Sequence, residues 1–136
     1  MSARGVDLGR SRSLFVFERA RSWSENDCKA VTARAQGLPV TLRSQGLVVT
    51  MARLAANEDK DTASRILKGM LLAWLTVENP YLGFKGRANT TREFLELLMT
   101  ADRAAYLAVQ REALALAERI KLISKAFFSG KEQDNG

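Results

Sequence analysis

The sequence predicts an all-α protein: a compact bundle of about five to six helices with a long C-terminal helix. Three observations predict it. Only two prolines and nine glycines interrupt 136 residues. No short run alternates apolar with polar residues in the manner of a half-buried strand. Apolar residues recur at steps of three and four through most of the chain, the spacing of a helix with one buried face. With 46% hydrophobic and 26% charged residues, the composition is that of a globular domain. At this length one core is expected, so residues 1–136 are read as a single helical domain.

Each element has a local reason. Residues 1–5 read as a frayed terminus, followed by a helix over about 9–22. Ser24 and Asp27 have capping-box spacing and open a helix over about 25–36. Pro39 suits a helix start because its missing N–H is unpaired there anyway, and Leu42, Leu47, Met51 and Leu54 continue from it. Gly46 interrupts this helix. It either costs about 1 kcal/mol relative to Ala or marks a close approach by another backbone. Asn57 to Asp61 is a polar connection, and Ile66, Leu67, Met70, Leu71, Trp74 and Leu75 place a helix over about 61–77.

Residues 79–89 form the irregular segment. Tyr81 and Phe84 are interleaved with Lys85 and Arg87 near Gly83 and Gly86. The favoured reading is two aromatics pinning a turn to the bundle. Base stacking with phosphate contact is the alternative. Thr90 and Glu93 form a second capping box, giving a short helix over about 91–99.

The last helix opens with Thr100 as N-cap and Asp102 in its first turn. Tyr106, Val109, Ala113, Leu116, Ile120, Ile123 and Phe127 form an apolar seam, and Arg111, Glu118 and Lys125 share another face. Gly130 reads as its stop, with 129–136 frayed. The helix is then about 27 residues and about 40 Å long at 1.5 Å per residue.

Catalytic equipment is scarce. The chain has no histidine, the commonest general base and metal ligand. Its one cysteine, Cys28, has acidic neighbours in Glu25 and Asp27 and reads as structural; it forms no intramolecular disulfide and no thiolate cage. Glu93 has a capping task, and Glu58, Asp59 and Asp61 sit in a connection without a further ligand. The glycines fit neither phosphate-loop nor dinucleotide patterns. The chain is read as not an enzyme, with no cofactor and no metal. No apolar run approaches the length of a membrane span, so a cytoplasmic protein with no membrane partner is expected.

Charge supplies the positive indication. The net charge is +6, and residues 1–53 hold nine Arg and Lys against Asp7, Glu18, Glu25 and Asp27, leaving +5 there. Arg outnumbers Lys 14 to 7, and a guanidinium fork suits phosphate. An anionic polymer is the partner class this predicts.

The segment Leu38-Pro39-Val40-Thr41-Leu42-Arg43, continuing through Gly46-Leu47 to Thr50-Met51-Ala52-Arg53-Leu54, resembles the small-subunit family of type III-B CRISPR effector complexes, the Cmr complexes. In that family a Leu-Pro opens a helix with a Gly-Leu at its middle. Phe94 to Leu98, Ala101-Asp102, Tyr106, Glu112 to Leu116 and Lys121 are similar to the family's last two helices in order and spacing. The resemblance covers about residues 36–128. Residues 1–30 match poorly, and Arg119 stands where the family commonly has Trp.

The resemblance implies a helical subunit that stacks in several copies beside the guide RNA and its RNA target without cutting either. Such a subunit reads no bases, so it needs cations for phosphates. Candidate RNA contacts are Arg12, Arg19 and Arg21 on the first helix, Arg43 in the signature segment, and Lys121 and Lys125 on the last helix. Arg43 and Lys121 carry most weight, because the family tends to be basic there. Head-to-tail stacking on copies of itself, beside other subunits of the effector complex, needs two different faces. Phe15, Phe17, Trp23 and Trp74 are the candidate subunit contacts. The rival readings are a small helical DNA-binding regulator and a protein–protein adaptor with no nucleic-acid role.

Overall fold

Six α-helices and one π-helical turn make up the computed structural model, which describes residues 7–79 and 84–135, those after 128 as backbone alone. The helices are α1 (Leu8–Ala20), α2 (Glu25–Ala35), α3 (Leu38–Asn57), α4 (Thr62–Ala73), α5 (Thr91–Thr100) and α6 (Arg103–Asn135). The π turn, Trp74–Glu78, extends α4. The all-α expectation and the long final helix hold, with no strand among the described residues. The N-terminal five residues and Tyr81 and Gly83 lie outside the described residues.

α6 is the spine. α1, α2 and α3 pack on it, α4 lies across α2 and α3, and α5 closes against α3. The seam that marks α6 in the sequence faces inward: Val109, Ala113, Leu116 and Ile120 are buried, with Tyr106 and Ile123 packed against the core. Leu42, Leu47 and Met51 of α3 and Leu67, Met70 and Leu71 of α4 fill the interior beside them. Each such side chain, fully removed from water, contributes roughly 1.5–3 kcal/mol.

Helix starts follow local hydrogen bonding. Ser24 Oγ accepts from the Asp27 N–H at 3.0 Å, and Thr90 and Glu93 complete a reciprocal capping box. α6 differs from expectation: Thr100 ends α5, and Asp102 is the cap, its Oδ1 accepting from the Ala105 N–H at 2.8 Å. A carboxylate satisfies a first-turn N–H and favours the positive helix end, so it outcompetes a hydroxyl two residues earlier. Gly130 does not stop α6, which runs 33 residues to Asn135, about 50 Å. A glycine lowers helix propensity but removes no hydrogen bond, so a long helix carries one.

α3 is broken where its glycine falls. Gly46 has φ 86° and ψ 168°, far from helical values and accessible essentially to glycine alone. What approaches is not a backbone but two side chains of α6. A Cβ at Gly46 would lie 3.3 Å from the Tyr106 hydroxyl and 3.6 Å from Gln110 Oε1. The Gln110 amide bridges the break: Oε1 accepts from the Leu47 N–H at 2.9 Å, and Nε2 donates to the Leu42 carbonyl at 3.3 Å. A side-chain amide thus replaces hydrogen bonds the kink removes.

Candidate nucleic-acid interface

The candidate cations fall into three environments. Arg12 belongs to the interior. It sits one turn before Val16 on the buried face of α1, and its Nε and Nη2 donate to both oxygens of Glu112, at 2.5 and 2.8 Å. The two side chains are only 17% and 8% exposed. Glu112 Oε2 also accepts from Trp74 Nε1 at 2.8 Å, so one carboxylate ties α1 and the π turn to α6. The hydrogen bond to Glu112 pushes the Arg12 guanidinium further above its ordinary range, with its partial burial opposing. Its fork is occupied, and it offers no phosphate contact in this arrangement.

The end of α1 is the second environment. Arg19 is exposed and its guanidinium lies 4.8 Å from the Phe15 ring centroid, a cation–π stack. Arg21 is exposed beside Glu18, 3.6 Å away. Both guanidinia remain open to solvent.

The third environment gathers residues far apart in sequence. Arg43 Nη2 donates to Glu118 Oε1 at 3.0 Å, and both side chains are substantially exposed. Lys121 and Lys125 follow on α6, three and seven residues after Glu118, and so share its face at helical spacing. Lys125 is exposed and Lys121 half-buried; neither makes an ion pair among the described residues. Arg111 is exposed one heptad before Glu118. Arg43, paired with Glu118, thus shares this stretch of the surface with Arg111, Lys121 and Lys125, and cations outnumber the carboxylate there. Leu122 and Val40, each more than half exposed, lie in the same stretches of α6 and α3.

The aromatic candidates divide similarly. Phe15 and Trp74 are buried core residues, ring centroids 5.2 Å apart, and are unavailable to a neighbouring subunit. Trp23 is partly buried against the core. Phe17 is 45% exposed and meets Phe127 edge to face at 5.3 Å. Phe84 is buried edge to face against Phe94, with the Arg87 guanidinium 6.0 Å from its ring centroid; it is the one aromatic of the pinned-turn reading that lies among the described residues.

Other charged groups have structural tasks. Asp61 caps α4 by accepting from the Ala63 N–H, receives the Ser64 hydroxyl, and pairs with Arg34. Desolvation pushes its carboxyl up, but those hydrogen bonds and the Arg34 charge outweigh it and hold the pKa below its ordinary value. Glu58 pairs with Lys68 at 2.5 Å, so two of the three carboxylates at 58–61 have cationic partners. Cys28 is fully buried beside the Ser124 carbonyl. Among the described residues no group of three or more His, Cys, Asp or Glu converges as a metal site, and no helix is long and apolar enough to cross a membrane.

Sequence reasoning gave no role to Gln110, and none to Glu112 or Arg119 beyond their place in the resemblance. Glu112 flanks the apolar seam between Val109 and Ala113, and a carboxylate there signals a buried partner. Arg119, at the position where Trp is common, reaches Ser13 Oγ at 3.3 Å and lies over Gly9, filling the α1–α6 contact. A family model described as CRISPR-associated protein (Cas_Cmr5) matches residues 8–127. It takes in α1, so the resemblance extends through the N-terminal helix, where residues 1–30 match poorly when read one by one. Comparison with curated proteins and with solved structures gives no match.

Proposed function

Because the chain belongs to the Cas_Cmr5 family, the small subunits of type III-B CRISPR complexes, we propose that it serves its effector as a non-catalytic structural subunit. It stacks in several copies along the ribonucleoprotein and lies against the backbone of guide and target RNA in antiviral defence. Its place of work is the cytoplasm, and its partners are both RNAs, other effector subunits and copies of itself.

The observation that carries this reading is the face where Arg43 pairs with Glu118 and Lys121 and Lys125 follow at helical spacing. A positive helix face suits phosphates of any sequence, because phosphate contacts carry no base information. Arg19 and Arg21 are secondary contacts at the end of α1. Phe17 is the apolar candidate for the stacking face, and the partly buried Trp23 is a weaker one.

The test is the double reversal of Arg43 and Lys121 to Glu in the assembled complex. RNA affinity should fall, and the slope of log affinity against log salt should drop by about one per lost phosphate contact. Helical content should not change. Unaltered RNA affinity would place the RNA on another face.

A further inference from the structure

A groove of about 700 Å³ opens between α2, α3 and the start of α4. Its buried lining is small, Leu38, Leu54 and Ala63 beside Thr50 and Ser64, whose hydroxyls already donate to the Gly46 carbonyl and to Asp61, and Ala30 and the exposed Ala33 stand at its edge. Its lining comes from both sides of the Gly46 break, with Thr41 before it and Thr50 and Arg53 after it, so the angle of the broken α3 shapes it. The volume lies within the roughly 300–1,000 Å³ over which pockets hold specific ligands.

Two arginines stand at the rim, and they are not equivalent. Arg34 is held by Asp61. Arg53 is exposed and makes no ion pair among the described residues. The groove therefore offers small side chains with no free polar group among the buried Leu38, Leu54, Ala63, Thr50 and Ser64, one uncommitted cation and one anion already neutralised. A phosphate chain would waste the floor and approach the Asp61 carboxylate. A second copy brings another net charge of +6, and charge complementarity favours an acidic occupant.

We propose that this groove receives an acidic segment of another protein, an apolar side chain entering between α2 and α4 while a neighbouring carboxylate pairs with Arg53. It rests on the assembly-subunit reading only in expecting a protein partner. The arrangement is a helix-in-groove site, with apolar anchors for affinity and a rim charge for register.

The test uses the isolated full-length chain, labelled with ¹⁵N, and a synthetic helical peptide repeating Glu-Ala-Ala-Leu. The control peptide replaces each Glu with Lys. Millimolar acidic peptide should shift the amides of Ala33, Gly37, Thr41 and Arg53, and the control should not. Arg53→Glu should weaken acidic-peptide binding by at least about tenfold and gain binding of the Lys peptide. Ala33→Trp, which fills the groove from an exposed position, should abolish both. Absent shifts at these amides, equal binding of the two peptides, or insensitivity to both variants would each overturn the proposal. A single-stranded RNA oligomer that displaces the peptide would also overturn it, by making the groove an RNA site. RNA affinity unchanged in both variants, but lost on reversal of Arg43 and Lys121, separates this site from the filament reading.

Discussion

Arg12 and Arg43 each reach a glutamate on α6, six residues apart, yet the two pairs do different work. Arg12 and Glu112 are almost sealed from water and share Trp74, whereas Arg43 and Glu118 are 57% and 41% exposed. Burial makes the first pair costly to break, since removing one partner strands the other charge. Solvent makes the second pair nearly irrelevant to stability and leaves its cation free to exchange partners. The positive charge of residues 1–53 is therefore not all surface charge. Part of it is internal fastening.

The largest effect should come from breaking the buried pair. Glu112→Ala leaves Arg12 uncompensated and Trp74 without an acceptor, and should destabilise by about 3–5 kcal/mol in a denaturant titration. Adding Arg12→Leu should recover part of that loss, short of the ~1–3 kcal/mol for the unpaired indole N–H. A cost below ~1 kcal/mol for Glu112→Ala would mean this network does not hold α1 in place. Next comes the break in α3. Gly46→Ala should cost about 1–3 kcal/mol, because its conformation suits only glycine and Tyr106 stands close. Gln110→Ala should cost a similar amount by orphaning Leu47 N–H and Leu42 C=O, and a double-mutant cycle should show strong coupling between the two sites.

Asp61 lies between the extremes. Asp61→Ala loses the cap of α4 and should cost about 1 kcal/mol, whereas Asp61→Asn keeps a capping side chain and loses only the charge. The carboxyl pKa is depressed in the folded chain, so its charge stabilises at pH above the unfolded value near ~3.9 and that contribution fades as pH falls through the lower folded value. The gap in melting temperature between wild type and Asp61→Asn should narrow below about pH 4. The smallest stability effect belongs to the exposed face: Arg43→Ala or Lys121→Ala should stay within ~0.5 kcal/mol. If Arg43→Ala destabilises as much as Glu112→Ala, the contrast between the pairs collapses.

The sequence discloses what is decided locally. The Thr90–Glu93 box, the Ser24 cap and the α6 seam are patterns within a few residues, and each appears where its spacing places it. Pairings across the bundle are less legible. Arg12 and Glu112 are 100 residues apart, and only their positions on two apolar faces indicate that they meet. Gly46 announces a break, but nothing local says that a glutamine 64 residues later fills it. The π turn has no sequence mark; it appears where Trp74 stacks on Phe15 and reaches Glu112. Of the candidate residues, Arg43, Lys121 and Lys125 share a face as their helical spacing suggests, while Arg12, Phe15 and Trp74 belong to the interior, which spacing alone does not reveal.

The amide that bridges the broken α3 also sets a measuring point. Gln110 fixes the rotation of α6 against α3, and Glu118 stands eight residues, a little over two turns, beyond it. One residue inserted between them would swing Glu118, Lys121 and Lys125 by about 100° around the axis, away from Arg43. The spacing of charge on the outer face is thus gauged from a hydrogen-bonded notch inside the bundle. Sequences that keep the notch can change the outer residues freely while holding the pitch at which they are displayed.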